Sequence, residues 1–182
     1  MELLYGGANV ALAHFWEAAK LDPDYRFNHS LLAQGVWTYV GRAYYKQEDM
    51  AGAREALERA RSRYTDDYLA ALYLGLVFAR EGDQRRALRE IEAGLRGLAE
   101  WLDYLHWHHP DGRFWDPARK LRSEIQRELE MIEGKDFRWS ELMAGVEWLG
   151  REFEEEMDRA QRDERRHRRD RDNHRGRLLV LG

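Results

Sequence analysis

The sequence predicts an all-α fold, and three observations carry that expectation. Only three prolines occur in 182 residues and β-branched residues are sparse, so little interrupts a helix and little favours a strand. Apolar residues recur every three or four positions over long stretches, as on the buried face of a helix. Gly41 and Gly75 stand 34 residues apart, as do Ala53 and Ala87, a period that suits one helix–turn–helix unit.

The first unit is partial. Ala11-x3-Phe15-x2-Ala18 followed by Pro23 reads as a second helix and its terminal proline. Met1 to Gly7 is too short for a leading helix, so either the array starts on a half-unit or the native chain began earlier. Ala11 and Ala53 are 42 residues apart, which implies eight extra residues, placed within Asp24 to Leu31. The next unit opens with Trp37-x2-Val40-Gly41-x2-Tyr44 and continues with Ala53-x3-Leu57-x2-Ala60. Its successor repeats the pattern as Ala71-x2-Leu74-Gly75-x2-Phe78 and Ala87-x3-Ile91. Small residues let antiparallel helices approach, and large ones fill the seam between them. Gly82-Asp83 reads as a C′ glycine followed by an N-cap aspartate, and Gln47-Glu48-Asp49 serves the same turn without glycine. Leu95, Leu98, Trp101, Leu102 and Leu105 keep helical spacing, so the last second helix is expected to run on.

These residues resemble the tetratricopeptide repeat (TPR), in about two and a half units over 1–105. Thr65 and Ala99 stand where the family's closing proline would fall. The resemblance implies a superhelix whose leading helices line a concave groove, where family members commonly bind peptides or helices. On that implication the partner-binding residues are Thr38, Arg42, Tyr45 and Lys46 on one leading helix and Leu72, Leu76 and Arg80 on the next. The groove would be apolar with a basic rim, suited to an amphipathic helix or an extended apolar segment. The Lys, Asn and Arg clamp of the chaperone-tail-binding members is not reproduced, because Thr38, Leu72 and Leu76 do not supply it.

Residues 106–116 read as an aromatic and histidine-rich loop, with Pro110-Asp111-Gly112 as its turn. Asp116-Pro117 looks like an N-cap with proline at the first helical position. Ala118, Leu121, Ile125, Leu129 and Ile132 form one stripe, with Gly134 placed as the C′ residue. A last helix is expected to begin near Asp136 to Ser140, with Trp139, Leu142, Met143, Val146, Leu149, Phe153 and Met157 on its apolar face. Residues 117–161 are therefore expected as capping helices that cover the end of the stack against Ile91, Leu95 and Leu98. That placement leaves the groove around Thr38, Arg42 and Leu76 at least partly open. Residues 162–182 are expected as a charged flexible tail, with the helix fraying beyond about Asp163. Phe114-Trp115-Asp116-Pro117 and the charged terminal helix also resemble a group of uncharacterised bacterial TPR proteins, a resemblance that brings no activity with it.

Composition narrows the function classes. The chain has no cysteine, which excludes disulfides, thiolate zinc sites and cysteine nucleophiles. No apolar run approaches the ~20 residues of a membrane span. The N-terminus carries no basic n-region ahead of an apolar stretch, so the expectation is a cytoplasmic protein, or a periplasmic one if a signal segment was removed. Net charge is −4. The eight arginines of 162–177 are interleaved with four acids, which repel the phosphates the arginines would attract. Nucleic acid is thus the alternative partner rather than the leading one. His106, His108 and His109 supply imidazoles, but Pro110 breaks their spacing and a fourth ligand is missing, so no metal and no cofactor are expected. No phosphate loop, dinucleotide fingerprint or nucleophile elbow is present. The expected function is a non-enzymatic protein–protein interaction module or assembly adaptor. A nucleic-acid-binding helical protein is the alternative, and a metal-dependent enzyme at 106–116 comes third.

Overall fold

The computed structural model describes residues 7–29, 32–108, 112–134 and 137–180. Among them the chain is all-α apart from one short hairpin. The elements run α1 (Ala8–Leu21), β1 (Arg26–His29), β2 (Leu32–Gly35), α2 (Val36–Lys46), α3 (Met50–Arg63), α4 (Tyr68–Arg80), α5 (Gln84–His108), a 3-10 turn (Gly112–Phe114), α6 (Lys120–Glu133) and α7 (Trp139–Val180). The stripe through Leu105 does extend α5, whose buried residues continue to Leu105.

The 34-residue period is visible in the packing of α2 on α3 and of α4 on α5. A Cβ at Gly41 would lie 2.5 Å from Leu57 Cγ and 3.3 Å from the Ala53 carbonyl. At Gly75 it would lie 2.5 Å from Ile91 Cγ1 and 3.0 Å from the Ala87 carbonyl. The same three positions thus make the same close crossing in both helix pairs. The turns repeat as well. Gly82 has φ +84°, and Glu48, which stands 34 residues earlier, has φ +61°. Asp49 and Asp83 then cap the following helices, accepting from the amides of Gly52 and Arg86, each at 3.0 Å.

The eight extra residues fall on a hairpin that the sequence reading did not foresee. β1 pairs antiparallel with β2, placing Phe27 opposite Gln34 and Arg26 opposite Gly35. The hairpin is anchored where α2 begins: the Val36 amide donates to the Tyr25 carbonyl at 2.9 Å. Its basis is Phe27 flanked by Tyr25 and Tyr39, with ring centroids 4.7 and 5.0 Å apart.

The C-terminal third departs from expectation in three ways. Pro117 does not open α6, which starts at Lys120. Asp116 (φ +45°) and Arg119 (φ +56°) both adopt the left-handed region. The Asp116 carboxylate still caps the helix from further back, accepting from the amides of Leu121 and Arg122 at 3.1 and 3.0 Å. Gly134 ends α6 in extended backbone (φ −78°), not in the left-handed conformation of a C′ glycine. The segment 162–182, expected as a flexible tail, continues α7 as helix to Val180. Opposite charges one turn apart support that continuation, with Arg159 to Asp163 at 2.8 Å and Arg162 to Asp158 at 3.7 Å.

Where α6 meets α7, Glu128 is fully buried, with its carboxylate against Gly145 of α7. Arg127 pairs with it at 2.7 Å. Burial nonetheless pushes the Glu128 carboxyl up to about 7, against the pull of Arg127 and assisted by a hydrogen bond with Glu124.

Two predictions come from this packing. Gly75→Leu should destabilise the chain by about 1–3 kcal/mol or more in urea unfolding, because the α4–α5 seam has no room for a side chain. An unchanged midpoint would contradict the shared helix crossing. Glu128 keeps its proton up to pH about 7 when folded but releases it near 4.5 when unfolded. Between those values the folded state binds more protons, so stability falls as pH rises, and the loss is complete above about pH 7. Glu128→Gln should flatten this part of the pH–stability curve, a difference of about 1–3 kcal/mol across the window. Parallel curves for the variant and the parent would count against the buried carboxyl.

Candidate functional site

Buried polar groups hold together the helices α2 and α4, on which the expected groove residues lie. Asp67, at the N-cap of α4, is fully buried. One carboxylate oxygen accepts from the Ala70 amide at 3.0 Å. The other accepts from the Gly35 amide at 2.8 Å and from the Thr38 hydroxyl at 2.5 Å. A single side chain thus caps α4 and fastens the start of α2 to it. Burial pushes its carboxyl above the usual range, opposed by those three hydrogen bonds and by the Arg42 charge.

Arg42, one turn beyond Thr38 on α2, has no exposed surface. Its guanidinium donates to Gln34 Oε1 of β2 at 3.0 Å and forms an ion pair with Glu154 of α7. It also lies 5.1 Å from the ring centroid of Tyr73 and 5.6 Å from that of Tyr39. Lys46, one turn further along α2, approaches the other Glu154 oxygen at 3.7 Å.

α7 therefore lies along the predicted groove. Its residues meet the array in register. Glu147 accepts from the Tyr45 hydroxyl at 2.7 Å and from Arg80 at 2.8 Å. A Cβ at Gly150 would come within 2.8 Å of the Tyr73 hydroxyl oxygen. Glu154 meets Arg42, and Met157 Sδ accepts from Gln34 Nε2 at 3.3 Å. Spacings of three or four residues put all of these on one helical face. Val146, Leu149 and Phe153 are fully buried alongside.

The expected open groove is thus corrected. Thr38, Arg42, Leu72 and Leu76 have no exposed surface: Arg42 is covered by Glu154 of α7, Thr38 is bonded to Asp67 and Leu72 lies against Gly94 of α5. The cap on the outer helix of the stack is α6, which packs on α5. α7 packs on α6 and on α4, so it both completes the cap and fills the groove. The physical reason is length: α7 spans 42 residues and its apolar stripe is interrupted by carboxylates that match Arg42, Tyr45 and Arg80.

Three of the seven predicted residues keep exposed surface and come together. Tyr45, Lys46 and Arg80 line a cleft of about 220 Å³ that remains open at the edge of α7, with Leu76 also against it but fully buried. Tyr73, Met50 and Glu48 join them from the array, and Glu147 and Arg151 from α7. Lys46 is lowered to about 8, first by burial and then by repulsion from Arg42 and Arg151. Burial would raise Glu147, but Arg80 and Tyr45 outweigh it and hold the carboxyl below its usual value. The Tyr45 hydroxyl is raised by burial and by its bond to Glu147.

The aromatic loop is attached rather than free. Trp115 is buried edge-on against Trp101, with ring centroids 4.8 Å apart. Arg159 of α7 reaches the Phe114 carbonyl, and Glu156 accepts from the Asp116 amide. His106 and His108 are exposed, and His109, Pro110 and Asp111 lie outside the described residues. Among the described residues no three His, Cys, Asp or Glu side chains gather into a metal site, and no helix is long and apolar enough to cross a membrane.

Removing one partner of a buried ion pair leaves the other charge uncompensated. Glu154→Leu and Arg42→Met should each cost about 3–5 kcal/mol in urea unfolding, and the double substitution should recover much of that loss. Losses that simply add would show that the two groups do not depend on each other.

In comparisons with family models, with curated proteins and with solved structures, the chain matches none.

Proposed function

We propose that the chain is a TPR-like protein–protein interaction module, an assembly adaptor without catalytic activity, whose partner docks at the cleft along the edge of α7. The observation that supports the TPR-like reading is the repeated crossing of Gly41 on Ala53 and Leu57 and of Gly75 on Ala87 and Ile91 at a 34-residue interval. The open part of the leading-helix surface is at the cleft, where Tyr45, Lys46 and Arg80 keep exposed surface. The groove proper holds the chain's own helix, so the partner meets a composite surface built from α2, α4 and α7. Mixed apolar and charged groups around a concavity suit a specific contact better than a flat polar face does.

No observation favours the nucleic-acid reading. Arg162, at the start of the basic segment, is engaged by Asp158, and Arg159 just ahead of it by Asp163.

The test places a photo-reactive amino acid at Glu48 or Arg80, on the cleft rim, and at Arg89 on α5 as a control. Irradiation in cells of the source should give one discrete protein adduct from positions 48 and 80, and Arg80→Glu should abolish the adduct at 48. Equal labelling from position 89, or adducts insensitive to Arg80→Glu, would contradict docking at this cleft.

A further inference from the structure

A second cleft, of about 420 Å³, runs along the seam between α5 and α6 and shares no residue with the one at the edge of α7. Asp103 lines it from α5, and Arg119, Arg122, Ser123 and Gln126 line it from the start of α6. The two helices run antiparallel: Arg122 reaches Asp103 and the Leu102 carbonyl, and Glu133 meets Arg96. Ala99 and Asp103 are one turn apart on α5, and the next residue in that row is Trp107. The register that sets Asp103 beside Arg122 carries Trp107 towards Arg119, at the end of the cleft. Trp107 is 74% exposed, whereas the other six tryptophans are buried or half-buried. The polar groups keep unused capacity. Arg122 holds one oxygen of Asp103 at 3.1 Å, and the other has no partner among the described residues. Gln126 spends its amide on Glu130 at 2.8 Å and leaves its carbonyl oxygen open. Arg119 and Ser123 are exposed, and neither side chain has a hydrogen bond or ion pair among the described residues.

We infer that this cleft binds a short, uncharged oligosaccharide, with one sugar ring stacked on Trp107 and neighbouring hydroxyls on Asp103, Arg119, Ser123 and Gln126. A sugar presents two kinds of surface at once. One face of the ring is lined with C–H bonds, which suit the negative face of an aromatic side chain. Its edge carries hydroxyls that both donate and accept, and here Asp103 accepts, Arg119 donates and Ser123 does either. A phosphate is disfavoured, because the free oxygen of Asp103 would face it. A wholly apolar ligand is disfavoured, because it would cover these polar groups without pairing them. The volume lies within the ~300–1,000 Å³ of ordinary ligand clefts. From Ala99 to Trp107 the helix rises about 12 Å, longer than a single sugar ring. The inference is independent of protein docking at the edge of α7.

The test is an amide-resolved NMR titration of the full chain with cellotriose, maltotriose and triacetylchitotriose, and with adenosine monophosphate as an anionic ring compound. At least one trisaccharide should give saturable shifts at residues 99–107 and 119–126 and at the Trp107 indole N–H, with the same affinity at low and high salt. Trp107→Ala, at an exposed position, should weaken that binding at least about tenfold without changing the melting temperature. Arg119→Ala should weaken it about threefold or more, whereas Leu21→Ala, the loss of an exposed apolar group elsewhere, should not change it. No saturable shift with any of the three sugars, shifts confined to other residues, undiminished binding by Trp107→Ala, or tighter binding of adenosine monophosphate at the same residues would each overturn the inference.

Discussion

A guanidinium with no exposed surface must be compensated from within the protein, and Arg42 imposes that condition on the elements around it. Stripping water from an ion costs several kcal/mol, and an unpaired one would not remain buried. Gln34 supplies one acceptor, Glu154 supplies the counter-charge, and the Tyr39 and Tyr73 rings flank the cation. Each of those groups comes from a different element. The hairpin must bring Gln34 to the end of the groove, and α7 must cross the leading helices at a height that sets Glu154 over Arg42. Glu147 and Met157 then fall, one turn or two away, onto Arg80 and Gln34. The single buried charge thus joins the hairpin and α7 to the leading helices through Gln34 and Glu154.

The repeat was legible because its constraint is local and periodic. Gly41 and Gly75 declare a close crossing wherever they recur with Ala53 and Ala87 at the same interval. The turn at Gly82-Asp83 follows from chemistry within four residues. The hairpin was not legible, because Arg-Phe-Asn-His and Leu-Ala-Gln-Gly carry no strong strand signal. They pair because Phe27 finds Tyr39 and because Gln34 is needed by Arg42. The start of α6 was misplaced for a related reason: Asp116 does cap, but across a left-handed detour at Arg119 that the Asp-Pro dipeptide does not announce.

The site shows where single-sequence reasoning stops. Of the seven leading-helix positions expected on one partner-binding surface, Thr38, Arg42, Leu72 and Leu76 are core. The burial of Arg42 depends on Glu154, on a helix about a hundred residues downstream. A signal was available: Glu147 and Glu154 sit seven residues apart within the apolar stripe of Val146, Leu149 and Phe153, and carboxylates on a buried face call for cations opposite. Arg42 and Arg80 were those cations. Asp67 was also passed over, because its capping role accounts for one oxygen and conceals the other, which holds Gly35 and Thr38. With α7 in place, the opening that remains on the leading helices lies at the edge of α7, where charged and apolar groups meet.

The central claim is that α7 is part of the core rather than a detachable arm. Native-state hydrogen exchange measures this directly. Amides of residues 146–157 should exchange only with global unfolding, at the same opening free energy and denaturant dependence as the α4 amides of 72–77. Exchange of 146–157 through a local opening several kcal/mol below the global value, with α4 still protected, would contradict it and describe an array whose groove opens on its own.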